Sequence, residues 1–164
     1  VATSTLNIRA ELVDLADFAV KFWGEELLMQ GHKLTGKTIA SLEYRLRLER
    51  GRWSIEFFVA SHAMILDKGV SRSRIPFTTP SRKKRSKFIE ALIKYVRQRL
   101  RIGGKKGKSI AFRIAKVQKY RDGMPTRGSF RFSKNGRRTG WIDSGAEKNR
   151  AELDKLMDRL MGQA

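Results

Sequence analysis

Two histidines, His32 and His62, carry the only imidazoles in a chain of 164 residues that has no cysteine. Neither stands near a pair of carboxylates at metal-ligand spacing, so the sequence offers no zinc or two-metal site. His32 lies in a glycine-flanked loop and reads as a surface residue, while His62 follows a strand and reads as a half-buried packing residue. No serine sits in a nucleophile-elbow pattern, and the acids fall mostly on helix faces at salt-bridge spacing. Carboxylates for a nuclease metal are hardest to place in the basic part of the chain, which holds only Glu90 and Asp122. The segment Gly103-Gly104-Lys105-Lys106-Gly107-Lys108-Ser109 comes close to a phosphate-binding loop. That loop needs a glycine where Ile102 stands and a buried strand before it. A basic helix precedes it here, so the segment reads as a helix-breaking turn with solvated lysines. The expectation is a protein that is not an enzyme and carries no cofactor or metal.

The chemistry the residues do offer is cationic. The net charge is +20, from 36 Lys and Arg against 16 Asp and Glu. Residues 1–70 are balanced at 9 against 9, residues 71–142 carry 23 cations and only two acids, and residues 143–164 carry 4 against 5. Charge so concentrated repels itself unless an anionic partner neutralises it, and nucleic acid or an acidic protein surface would do so. The densest run is Arg82, Lys83, Lys84, Arg85 and Lys87, read as the start of a helix, where the helix dipole disfavours positive charge. Arg97, Arg99 and Arg101 extend the field, with Lys105, Lys106 and Lys108 in the turn and Lys116, Lys119 and Arg121 on a second helix. These residues form the candidate polyanion or partner interface. Phe130 and Phe132, set among Arg127, Arg131, Arg137 and Arg138, could stack on bases. More often, aromatics in such an arm pack on a neighbouring chain, so these residues with Trp141 are the candidate inter-subunit arm.

Hydrophobic periodicity places these groups on elements. Residues 3–30 read as a long amphipathic helix through Ile8, Leu12, Leu15, Ala19 and Phe22, broadened by Ala16, Trp23 and Leu27. Ser4 or Asn7 could cap it, Gly31 stops it, and Glu11, Asp14 and Asp17 suit its positive end. The period then changes to two. Leu42, Tyr44, Leu46 and Leu48, then Trp53, Ile55, Phe57 and Val59, flank an Arg50-Gly51 turn, giving a hairpin with one apolar face that the first helix would cover. Residues 61–68 form a short helix ending at Gly69, and Pro76 and Pro80 mark a loop. Residues 81–102 read as a helix with Phe88, Leu92, Tyr95 or Val96, and Leu100 inward. Ser109 opens the next, with Ile110, Ile114 and Val117 on one side, closed by Gly123 and Pro125. The two form a basic helical hairpin. Residues 126–142 read as an extended β arm, because Asn135-Gly136 is a strong hairpin signal. Ser144 with Glu147 forms a capping box for a final helix lined by Leu153, Leu156, Met157 and Leu160. The expected architecture is therefore α+β, a single domain over residues 1–164. A long N-terminal helix packs on an antiparallel hairpin, followed by a basic helical hairpin, an extended β arm and a C-terminal helix. No apolar run approaches the roughly 20 residues of a membrane span, and no signal pattern opens the chain, so no membrane role is expected.

Taken in order, these elements resemble a known family. Gly36-Lys37-Thr38-Ile39-Ala40-Ser41-Leu42, the hairpin, and Ala60-Ser61-His62-Ala63-Met64-Ile65-Leu66-Asp67-Lys68-Gly69 resemble tail-completion and head–tail connector (neck) proteins of tailed bacteriophages. His62 departs from that pattern, standing roughly where a tyrosine is usual. Ile110-Ala111-Phe112-Arg113-Ile114-Ala115 and Gly123-Met124-Pro125-Thr126-Arg127 are similar to segments of neck proteins from phages of Bacteroidetes-type hosts, including crAss-like phages. The Trp141 segment and closing helix resemble the ends of those proteins. The resemblance covers most of the chain through short motifs and is an analogy of family. It implies a structural virion protein, assembled in the host cytoplasm and located in the neck between capsid portal and tail. It also implies a homo-oligomeric ring, twelve-fold favoured over six-fold, whose partners are the portal and other neck or tail proteins and which can touch packaged DNA non-specifically. The alternative from the residues alone is a non-enzymatic nucleic-acid-binding accessory protein that uses the basic helical hairpin.

Overall fold

The computed structural model describes residues 2–32, 36–77, 86–125, 130 and 133–162, with side chains from residue 7 onward. The fold is mixed α+β, and its elements follow the expected order. Helix α1 (Ala2–Met29) is the long N-terminal helix, followed by the single turn α2 (Lys37–Ala40). Strands β1 (Glu43–Glu49) and β2 (Arg52–Phe58) form an antiparallel hairpin, and α3 (Ser61–Lys68) leads to a 3₁₀ turn at Arg72–Arg74. Helices α4 (Lys87–Arg99) and α5 (Gly104–Val117) form the helical hairpin, and a π-helical turn, Gln118–Asp122, ends α5. Helices α6 (Trp141–Lys148) and α7 (Arg150–Met161) close the chain.

Two apolar clusters hold these elements. One gathers Leu27, Ala63 and Trp141, with Trp23, Ile39, Leu42, Val59 and Ile142 packed against it. Leu12, Ala16, Ala19 and Phe22 are buried along the same helix α1, on the stripe that the three-and-four spacing marks out. The helix already runs through Ser4 and Asn7, so neither caps it, and Glu11, Asp14 and Asp17 lie beyond its first turn, where the dipole no longer reaches them. The second cluster lies inside the helical hairpin, where Ile89, Leu92 and Val96 meet Ala111 and Ala115 under a lid made by Ile75 and Phe77. Leu100, expected inward, is 45% exposed because α4 ends at Arg99.

Helix α5 begins at Gly104, not Ser109. Its buried stripe is Gly107, Ala111, Ala115 and then Gln118, with Ile110, Ile114 and Val117 only half-buried beside it. Small residues let the two helices approach closely. A Cβ on Gly107 would lie 2.4 Å from the Ile102 carbonyl oxygen, so the chain can make this connection only with glycine there. The chain leaving α3 is tied to the end of the π-helical turn by paired backbone hydrogen bonds between Val70 and Met124, both packed against the second cluster.

The hairpin register opposes Tyr44 to Phe57, Leu46 to Ile55 and Leu48 to Trp53. Arg50 and Gly51 take φ of 51° and 76°, the left-handed pair of a two-residue turn whose twist suits the strands. The apolar face exists as expected, but α1 does not bury it. Trp23 packs edge-on against Phe57 at 4.8 Å, yet Phe57 remains 39% and Leu48 49% exposed, and no strand residue is buried. Contact is concentrated at the base of the hairpin, where Trp23 meets Phe57, Asp17 is hydrogen-bonded to Tyr44, and Leu42 and Val59 pack on the first cluster.

The stretch read as an extended β arm forms no strand among its described residues. Ser133–Gly140 runs as a series of bends tied to the body of the protein, with Lys134 N donating to the Met29 carbonyl at 2.7 Å. Asn135-Gly136 makes no hairpin turn. The Asn135 side chain donates to Glu26 at 2.7 Å, so tertiary contact overrides the local turn preference. The expected capping box is also absent. Helix α6 already starts at Trp141, placing Ser144 inside it, and its hydroxyl is used elsewhere. The final helix is broken at Asn149, and of its expected inner face Leu156 is buried while Met157 is 43% exposed.

Candidate functional site

The helical hairpin is the cationic surface. Between Ser86 and Asp122 stand twelve Lys and Arg against Glu90 and Asp122. Eleven of the twelve are exposed: Lys87, Lys94, Arg97, Arg99, Arg101, Lys105, Lys106, Lys108, Arg113, Lys116 and Arg121. The amphipathic patterns of α4 and α5 cause this, since each helix turns its apolar stripe to the other and leaves the charged positions outward. Lys119 is the exception among the expected interface residues. Its ammonium is tied to the protein's own backbone, donating to the carbonyls of Ile75 at 2.9 Å and Ser73 at 3.3 Å. Lys94 and Arg113 belong to the same field and were not singled out from sequence, although their spacing of seven from Lys87 and Lys106 marks the same helix faces.

Helix α4 starts at Lys87, with the Ser86 hydroxyl accepting from Ile89 N at 3.3 Å. Arg82, Lys83, Lys84 and Arg85, expected in the first turn of this helix, lie outside the described residues, as do Arg127, Arg131 and Phe132. The near-miss to a phosphate loop is the first turn of α5, preceded by a helix, with Lys105, Lys106 and Lys108 exposed.

The expected inter-subunit arm separates into unlike parts. Phe130 is 81% exposed, and Arg137 lies 4.0 Å from Glu147 on the surface. Trp141 belongs to the subunit's own core: it is 2% exposed, its indole N–H donates to the Ala63 carbonyl at 3.1 Å, and its ring meets Trp23 edge-on. Arg138 is partly buried as well. Its carbonyl accepts from His32 Nε2 at 3.0 Å, and its guanidinium interacts with Tyr95 of α4. Burial lowers the Arg138 pKa from its ordinary value, and the Tyr95 contact partly offsets this. His32 is accordingly a half-buried staple and not a surface residue. Burial pushes its pKa below the usual imidazole value, the bond to Arg138 opposes this, and the Arg138 charge adds to it. His62 is exposed, with its ring 2.7 Å from the Thr38 hydroxyl.

The group that sequence reasoning missed is Glu26. This buried carboxylate on α1 accepts from Asn135 Nδ2 at 2.7 Å, Ser144 Oγ at 2.9 Å, Gln30 Nε2 at 3.0 Å and Lys148 Nζ at 2.5 Å. Burial alone would raise its pKa, but the bonds from Lys148, Gln30 and Ser144, with the Lys148 charge, outweigh that and hold it below the ordinary carboxylate value. All four donors point at it and Lys148 balances its charge, so the arrangement fastens α6 and the bends before it to α1. Asp67 has a similar structural role, its carboxylate accepting from Ile142 N at 3.1 Å. The one signal for Glu26 was its position on the apolar stripe, four residues after Phe22 and one before Leu27.

Among the described residues no three His, Cys, Asp or Glu side chains gather where they could hold a metal ion. Among the described residues no helix is long and apolar enough to cross a membrane. What the surface displays is a cationic helical hairpin and a partly open apolar β-hairpin on an α+β subunit. Compared with known proteins, the chain matches no family model, no curated protein and no solved structure.

Proposed function

We propose that the protein is a non-enzymatic structural subunit of a tailed-bacteriophage virion, part of an oligomeric neck ring joining the portal to the tail. The observation that carries this reading is the presence of two unlike open surfaces on one well-packed subunit. A ring subunit needs a lateral surface for its neighbours and another for what lies above, below or within the ring. The half-covered apolar hairpin suits the first and the cationic α4–α5 pair suits the second. The motif resemblance of residues 36–69 and 110–127 points the same way. Purified protein, alone and with a portal partner, is tested by light scattering and electron microscopy at low and high salt. Closed rings support the reading, and a chain that never forms rings even with virion partners overturns it.

The charge density of the helical hairpin favours one second reading, an accessory protein that binds nucleic acid without forming rings. In that case Lys106→Glu with Arg113→Glu, both exposed, weakens DNA binding and flattens its dependence on salt, because each lost phosphate contact removes about one unit of the slope of log K against log salt. Unchanged DNA affinity and salt slope in this variant would count against it.

A further inference from the structure

Among the described residues, both edges of the β-hairpin are open. Its sheet contains only β1 and β2, and no third strand pairs with either among the described residues. A lone two-stranded hairpin is marginally stable, and natural sheet edges are usually blunted by lysine, proline or a covering element. Neither strand here contains a lysine or a proline. The two-residue turn makes Glu49 and Arg52 the first bonded pair, so the pairs two residues apart from it point their backbone groups at each other. The N–H and C=O groups of Tyr44, Leu46 and Leu48 on one strand, and of Trp53, Ile55 and Phe57 on the other, are then left facing the outer edges.

The geometry points to a second copy of this chain as the occupant: β2 of one subunit pairs with β1 of the next, antiparallel, repeating the register inside the hairpin. This goes beyond the neck reading and rests on it only for closure into a ring. The side chains argue for self-pairing. The polar face carries Glu43, Arg45, Arg47 and Glu49 on β1, and Arg52, Ser54 and Glu56 on β2. Within the hairpin Arg45 opposes Glu56 and Glu49 opposes Arg52, and Arg47 reaches Glu56 at 3.1 Å. A β1 edge laid on a β2 edge in the same register repeats each of these opposite-charge pairs. On the other face it sets Tyr44, Leu46 and Leu48 beside Phe57, Ile55 and Trp53, carrying the open apolar row from one subunit to the next. Two β1 edges related by a two-fold axis through Leu46 would instead oppose Glu43 to Glu49 and Arg45 to Arg47, like charges throughout. Two β2 edges centred on Ser54 would match Arg52 to Glu56 but would leave both β1 edges open. Pairing β2 to β1 is heterologous, the kind of contact that propagates and closes by rotation.

The absence of cysteine makes the test direct. In the proposed pairing Arg47 and Ser54 of adjacent subunits form a non-hydrogen-bonded pair, whose Cα atoms lie about 4.5 Å apart, within disulfide reach. Two single variants, Arg47→Cys and Ser54→Cys, are mixed and oxidised. Since neither chain has a second cysteine, a mixed disulfide forms only between subunits. The expected result is a reducible dimer band several-fold stronger in the mixture than in either variant alone. The exposed Leu48→Glu variant should keep its circular-dichroism spectrum and reduce the oligomer mass seen by light scattering. Cross-linking of Ser54→Cys alone identifies the two-fold β2 dimer and overturns the proposal. Rings without the mixed cross-link overturn it too and leave the neck reading standing. A mixed cross-link in protein that never rings with virion partners upholds the hairpin interface and removes the neck reading.

Discussion

Replacing Glu26 with alanine removes an acceptor shared by four donors, and the cost can be worked out donor by donor. Gln30 is 0% and Ser144 1% exposed, so their side-chain donors would lose their partner with no water to replace it. A buried donor left unsatisfied costs about 1–3 kcal/mol. Asn135 is half-buried and the Lys148 side chain is 48% exposed, so both can turn to solvent and add little. The expected loss is about 2–6 kcal/mol, a large part of a typical domain's stability. Glu26→Gln should cost less, about 1–2 kcal/mol. Its amide oxygen can occupy the position that accepts from Gln30, Asn135 and Ser144, while its amide nitrogen would face the Lys148 ammonium, donor against donor. The pH dependence separates the charge from the shape. The Glu26 carboxyl titrates below its ordinary value in the folded protein. The stabilisation from its charge is therefore complete above the unfolded pKa and is lost as pH falls through the folded one. The gap between wild type and Glu26→Gln should narrow as acid takes the pH through the lowered folded pKa, and close below it. Urea unfolding followed by tryptophan fluorescence measures both, since Trp23 and Trp141 meet where α1 and α6 pack. An alanine variant costing under about 1 kcal/mol at neutral pH, or a glutamine gap that widens in acid, would refute the reasoning.

Two further outcomes are expected. Trp141→Ala should destabilise by about 3–5 kcal/mol as a core truncation, whereas Trp53→Ala, on the half-open hairpin, should cost about 1–2 kcal/mol; thermal melts of the two variants, if reversed in order, would show that the hairpin face is covered. Gly107→Ala should cost more than about 1 kcal/mol by driving its methyl into the Ile102 carbonyl in the connection between α4 and α5, while Gly103→Ala, whose added methyl meets nothing within 4 Å, should be close to neutral in the same melts.

Much of the fold was legible because periodicity is a local property. The three-and-four spacing of Leu12, Ala16, Ala19 and Phe22, and the alternation through the hairpin, needed only neighbouring residues to read. The segregation of charge into residues 71–142 was likewise visible, and with it the exposed cations of α4 and α5, because each helix carries its own apolar stripe. The errors fell where a local preference met a distant partner. Asn135-Gly136 promised a turn, but Asn135 bonds to Glu26, 109 residues away. Ser144 looked like a cap, but its hydroxyl goes to the same carboxylate, 118 residues away. Trp141 looked like part of an arm, yet its indole donates to Ala63, 78 residues away.

The amino-acid order alone determined α1, the β-hairpin, the presence of a helical hairpin and the segment that carries the charge. These follow from local periods and from composition. Only the tertiary structure decided which polar groups are used internally, as with Glu26, Lys119 and His32, and which apolar face stays open. A face is covered or left open by what reaches it, and for the hairpin that depends on the distance of each strand residue from the elements packed at its base. No spacing within either element records that distance.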